Sequence, residues 1–214
     1  EARRAVPIVI LTHGRQPRPG ACRQSCRCSP AHGRRLRPRG TPGGLCAAVN
    51  GKKSFTILHT NDMHTSFIGM GPAADYTPFS LKDDATSGGY ARLAALIAMK
   101  KESRKGQGPV LVLDAGDYSM GTAFAAATRE IGGELKLMGM MGYDATTFGN
   151  HEFDLGPDGL GRSISVAAKA GRIPAVLPSN TDFSKKDPTL VDLQRMAKTG
   201  VLRRYTVHER GGHR

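Results

Sequence analysis

The sequence predicts an α/β fold behind a basic tail, on three observations. From Ser54 onward, short apolar and β-branched runs alternate with stretches of helical spacing. Three of the apolar runs end in polar clusters: Asp62-Met63-His64, Gly116-Asp117 and Gly149-Asn150-His151-Glu152-Phe153-Asp154. Charge and cysteine both change abruptly near Lys53. Twelve of the 31 Lys and Arg, but one of the 18 Asp and Glu, lie in residues 1–53, so +11 of the formal charge of +13 belongs to that segment. All 4 cysteines, Cys22, Cys26, Cys28 and Cys46, fall there too, with a spacing unlike that of common zinc modules.

Residues 1–53 are rich in Arg, Pro and Gly and follow neither strand nor helix period, so they are read as a disordered extension. A polybasic arm for nucleic acid is the competing reading. The segment has no aromatic residue to stack on bases, and no specific nucleic-acid site is expected. Ala5 to Thr12 is apolar but too short for a convincing export signal, and no run is long enough to span a bilayer as a helix.

Residues 54–214 are expected to form the folded part. Ser54 to Thr60 mixes aromatic and β-branched residues as a strand does. A loop covers 65–86. Ser87 is placed to cap a helix from Gly88 to Lys101 with Tyr90, Leu93, Ala94 and Ile97 on one face and a basic last turn. Val110 to Leu113, apolar at every position, suits a central strand. Helices are expected over Met120–Arg129 and Glu130–Met141, the second weakened by Gly132, Gly133 and Gly139. A short strand, Asp144–Phe148, leads to the third polar cluster. Gly159–Ala170 reads as a helix, Ile173–Leu177 as a buried strand, and Leu190–Lys198 as a helix. Val201–Glu209 alternates as a strand, and Gly211-Gly212 resembles a hairpin turn without its return strand, a mark of truncation.

The polar clusters carry the chemistry. In an extended segment, Asp62 and His64 would point to one side and reach one ion together. Asp117 sits in Gly116-Asp117-x-x-x-Gly121, where glycine permits a tight turn and a carboxylate can bridge two cations; a helix cap is the plain alternative. Asn150 offers a neutral oxygen to a second ion. His151 is placed to meet substrate, and Asp154 to hold its tautomer and charge. Glu152 is assigned to neighbouring backbone N–H groups.

Taken in order, Leu58-His59-Thr60-Asn61-Asp62-Met63-His64, then Gly116-Asp117-Tyr118-Ser119-Met120-Gly121-Thr122, then Gly149 to Asp154 resemble the N-terminal half of the 5′-nucleotidase family, within the calcineurin-like metallophosphoesterases. Gly88-Gly89-Tyr90-x-Arg92-Leu93 and Ser179-Asn180 add to the likeness. The resemblance implies a two-sheet β-sandwich flanked by helices. It implies two divalent ions of Mn, Zn, Fe or Co, with Asp62 and His64 on the first, Asp117 bridging and Asn150 on the second. His151 would contact the phosphate, oriented by Asp154. A nucleotide or other phosphate ester is the implied substrate; 2′,3′-cyclic-nucleotide phosphodiesterase and UDP-sugar hydrolase chemistry share this half. Similar proteins are exported or surface-bound.

The sequence departs from the family after Gly200. The further Gly-His and Gly-His-x-His ligand segments are not recognisable, and the family's C-terminal substrate domain is missing from the chain. The expectation is a truncated catalytic domain that binds metal weakly and has little activity alone, with an inactive fragment carrying a nucleic-acid-binding tail as the alternative.

Overall fold

A computed structural model describes residues 9–12, 54–69, 86–128 and 130–211. The described elements are five strands and five α-helices. They run β1 (Val9–Thr12), β2 (Thr56–Thr60), α1 (Tyr90–Ser103), β3 (Val110–Asp114), α2 (Ala123–Thr128), α3 (Gly133–Met141), β4 (Ala145–Thr146), α4 (Gly156–Ala170), β5 (Ala175–Val176) and α5 (Val191–Thr199). Single 3₁₀ turns precede α4 and α5, at His151–Phe153 and Pro188–Leu190.

The strands form one sheet in the order β1-β2-β3-β4-β5. β1 is antiparallel to β2, and β2 to β5 are mutually parallel. Parallel neighbours need crossover connections, and helices α1 to α4 lie within them. The four parallel strands therefore release their carboxyl-terminal loops at the same edge, where ligands of open α/β sheets gather. This brings three polar clusters, far apart in sequence, to one place.

The core lies where β2 and β3 meet the helices. Leu58 and Val112 are paired across the two strands, and they belong to one buried cluster with Ile97, Leu135, Met138 and Ile164. Tyr90 and Ile97 are the buried residues of α1, on the face that the spacing predicts.

The α/β class with flanking helices is as expected, and its described strands form one sheet. Several finer expectations are corrected. Val201–Glu209 alternates in polarity but forms no strand. Leu202 makes an isolated parallel bridge with Val176, and a neighbour of two residues offers little ladder to extend. Within residues 1–53, Val9–Thr12 form a strand paired with Thr56–His59, a run that the reading of the whole segment as disordered passes over; the rest of 1–53 lies outside the described residues apart from these four. Gly89, at φ 87°, and not Ser87, precedes α1, without a side-chain cap. β4 begins after Asp144, whose carboxylate accepts the Val112 N–H at 2.9 Å. Of the expected hairpin turn, Gly211 lies in a turn and Gly212 is outside the described residues. No helix among the described residues is long and apolar enough to cross a membrane.

Candidate metal centre

The loop after β2 leaves the sheet in an uncommon conformation. Asp62, His64 and Thr65 have φ of 52°, 45° and 47°. Among the described residues, every non-glycine at positive φ is one of these three, Asp117 at 53° or Met120 at 92°. L-residues pay sterically for that region, a β-branched one most. The loop is held by its neighbour: the N–H groups of Asp62, His64 and Thr65 donate to the carbonyls of Gly116, Asp117 and Tyr118 at 3.0, 3.0 and 2.9 Å. Asp62 and His64 therefore do not share a side by lying in an extended strand. They approach through two left-handed turns, which leave His64 Nε2 3.8 Å from Asp62 Oδ1.

The loop after β3 carries Asp117. Its Oδ2 lies 3.9 Å from His64 Nε2, and its Oδ1 accepts the His151 N–H at 3.0 Å. That bond, and a helix that starts only at Ala123, set aside the plain reading of Asp117 as a helix cap. Glycine is required on both sides of this contact. A Cβ on Gly116, itself at φ 97°, would lie 2.4 Å from Gly149 N, and one on Gly149 would lie 2.0 Å from Asp117 Oδ1.

The loop after β4 completes the cluster. Glu152 is 5% exposed. Its carboxylate accepts the N–H groups of Gly149 at 2.6 Å, Asp117 at 2.9 Å and Ser119 at 3.0 Å, and the Ser119 hydroxyl at 3.0 Å. This is the backbone-binding role expected of it. His151 Nδ1 meets Asp154 Oδ2 at 2.8 Å. The bond to Asp154 raises the imidazole's pKa above its usual value, burial opposes it, and the charges of Asp154, Asp117 and Glu152 add to the rise. Asn150 is exposed at the head of the 3₁₀ turn, next to His151. Asn180 is exposed in a turn after β5.

Three groups converge. His64, Asp117 and His151 each offer one ligand atom, all within 4.8 Å of one another. The two imidazoles meet edge to face with centroids 5.4 Å apart. Among the described residues, His64 Nε2 is enclosed and has no hydrogen-bond partner. A buried nitrogen left so is costly unless something satisfies it, and imidazole with carboxylate is a donor set that first-row divalent metals accept. The residues therefore fit a metal ion. His151, expected to face substrate, stands in the same cluster as His64 and Asp117.

Sequence reading passed over Ser119, whose N–H and hydroxyl donate to Glu152, and the hydrogen-bonded set of Thr60, Asp114 and Thr146. Their signal is position: Thr60, Asp114 and Thr146 are the last residues of β2, β3 and β4.

A sheet whose parallel strands bring histidine and carboxylate together at their carboxyl-edge loops defines an α/β protein with a candidate metal site. The chain belongs to the calcineurin-like phosphoesterase family, whose pattern matches residues 55–198. It is similar to Protein 5NUC of Lutzomyia longipalpis, with 32% identity over 171 residues, 78% of this chain and 27% of that protein. It is 40% identical to the 5'-nucleotidase of Mus musculus over 106 residues, 50% of this chain and 17% of the relative. A snake venom 5'-nucleotidase of Gloydius brevicauda is 40% identical over 121 residues, 54% of this chain and 19% of its own length. Among solved structures, the 5'-nucleotidase precursor from Thermus thermophilus matches with a TM-score of 0.51 and 30% identity, over 73% of this chain and 26% of that one. The chain thus spans 27% or less of the length of these relatives.

Proposed function

We propose that the chain is part of a metal-dependent phosphoric ester hydrolase acting on nucleotide 5′-phosphates. The observation that carries this reading is the convergence of His64, Asp117 and His151 around an imidazole nitrogen that no group among the described residues satisfies. The 5'-nucleotidase names of several relatives support the substrate class. A relative named for venom supports export.

Asp62 and His64 would hold one divalent ion, Asp117 would lie between two, and Asn150 would serve the second. Such a pair, of Mn, Zn, Fe or Co, supplies Lewis-acid charge and a water made acidic enough to act as nucleophile at neutral pH. The remaining chemistry falls to the chain's own groups. The carboxylate of Asp154 holds His151 Nδ1, which leaves Nε2 to meet a phosphoryl oxygen. With its pKa raised by Asp154, the ring keeps its proton to higher pH and offers positive charge where negative charge grows in the transition state. The Glu152 carboxylate keeps the Asp117 and Gly149 backbones together while this happens.

Among the described residues, His208 stands outside the cluster of His64, Asp117 and His151. The test is phosphate release from AMP by the full chain with Mn²⁺. Release that stops with a chelator and with His151→Ala is expected. Release that persists in both would contradict the reading.

A further inference from the structure

A buried carboxylate beneath the site has no part in the roles given above. Asp114, the last residue of β3, is 6% exposed. Its Oδ2 accepts the hydroxyl of Thr60, the last residue of β2, at 2.8 Å. Its Oδ1 accepts the hydroxyl of Thr146, the last residue of β4, at 2.8 Å, and the Gly116 N–H at 3.0 Å. One side chain thus joins the carboxyl-terminal ends of three adjacent strands. Each of these ends leads into a loop of the site: Asp62 and His64 come after Thr60, Asp117 after Asp114, and Asn150 and His151 after Thr146.

The donors are arranged for an acceptor at this point. Thr60 has one hydroxyl proton and gives it to Asp114, so in the 2.9 Å contact between Thr60 and Tyr143 the phenol must donate. The tie also stands where the ladder is thin. β2 and β3 pair along five positions from Thr56↔Val110 to Thr60↔Asp114, whereas β3 and β4 share one, Leu113↔Ala145. At the exit of β4 the Thr146–Asp114 bond takes the place of backbone pairing.

We propose that Asp114 is a positioning residue of the metal site: it fixes the spacing between the loops that carry Asp62 and His64, Asp117, and His151. This rests on reading Asp62, His64 and Asp117 as metal-binding, with His151 beside them. Asp114 itself faces two threonine hydroxyls and a backbone amide, and acts on the ligand groups only through the loops. A carboxylate accepts from three donors on two sides at once, which an apolar residue of the same size cannot do. Loss of the tie lets each loop move on its own strand.

The test is hydrogen exchange and Mn²⁺ affinity on the full chain. Asp114→Ala removes the tie. Asp114→Asn keeps its shape: the amide oxygen accepts from Thr146 and Gly116, and the amide nitrogen donates to Thr60. The Thr60 hydroxyl then turns to Tyr143, which turns to Met63 Sδ at 3.6 Å. Val112→Ala, in the core on the same strand, controls for ordinary loss of stability. Amides of 61–65, 116–119 and 147–152 are expected to exchange about tenfold or more faster in Asp114→Ala than in Val112→Ala, and to stay within about threefold of the parent chain in Asp114→Asn. The Mn²⁺ Kd is expected to follow the same order. Exchange that rises evenly over the whole chain, as in Val112→Ala, overturns the proposal, as does an Asn variant that behaves like Ala. If Asp114→Ala does not fold, Thr60→Val and Thr146→Val decide. The first is expected to loosen 61–65 and the second 147–152, and a uniform effect from both overturns the proposal. A parent chain that binds no Mn²⁺ would sink the metal reading, while the exchange pattern still decides whether Asp114 positions the loops.

Discussion

The carboxylate of Glu152 accepts the backbone N–H of Asp117 at 2.9 Å, across 35 residues of sequence, and the same oxygen accepts that of Gly149 at 2.6 Å. Two loops from neighbouring strands are thereby closed onto one buried charge. Glu152→Ala would leave the N–H groups of Gly149, Asp117 and Ser119 without this acceptor. Hydrogen bonds to a charged group are each worth about 1.5–3 kcal/mol. A loss of about 3 kcal/mol or more in urea unfolding is expected, with Glu152→Gln between the variant and the parent, since its amide oxygen still accepts.

Gly149 is the point of closest approach between the same loops. A Cβ there would overlap Asp117 Oδ1 at 2.0 Å and Asp117 N at 2.8 Å. Gly149→Ala is expected to push the Asp117 carboxylate away from His64 and to weaken Mn²⁺ binding by about tenfold or more, roughly the 1.4 kcal/mol of one such displaced ligand. Calorimetric titration of the two proteins checks it.

Asp114 makes stability depend on pH in an unusual direction. Burial pushes its carboxyl up from 3.8 to about 6, against the hydrogen bonds from Thr60, Gly116 and Thr146, which lower it. The folded chain therefore keeps a proton that the unfolded chain releases as pH rises past 3.8. Its contribution is fully present below that value and is lost as pH rises through about 6, which amounts to something on the order of 3 kcal/mol. Unfolding free energies measured between those two pH values should fall with pH more steeply for the parent than for Asp114→Asn.

Asp154 is the first cause of the raised pKa of His151. In the metal-free protein, Asp154→Ala should lower the pH at which the His151 ring loses its proton, so that the imidazolium is lost sooner as pH rises. A ring-proton NMR titration reads this directly. An unchanged midpoint would leave the orientation of His151 without the partner assigned to it.

Much of this was legible in the sequence, and the parts that were not have identifiable physical causes. Alternation of strand and helix placed β2, β3, α1, α4 and α5, because each has a long enough patterned stretch. β4 and β5 shrank to two residues each, since side chains such as Asp144 take up backbone groups that a longer ladder would use. The strand expected at Val201–Glu209 failed because alternation needs a free neighbour as well as a pattern. Asp62, His64, Asp117, Asn150, His151 and Asp154 are singled out by residue type and order. The left-handed turns that bring Asp62 to His64 are not, because no spacing rule marks a non-glycine at positive φ. Asp114, just past the apolar run Val110 to Leu113, is not singled out. Its partners Thr60 and Thr146 lie 54 and 32 residues away, and only the fold brings them together.

The central claim is that Asp117 joins His64 in holding a divalent ion beside His151. The most direct measurement is the Mn²⁺ affinity of the full chain beside that of Asp117→Ala, each shown to be folded by circular dichroism. The expected result is saturable binding by the parent and a loss of about tenfold or more in the variant, as for a removed ligand. Equal affinity in the two folded proteins would contradict it.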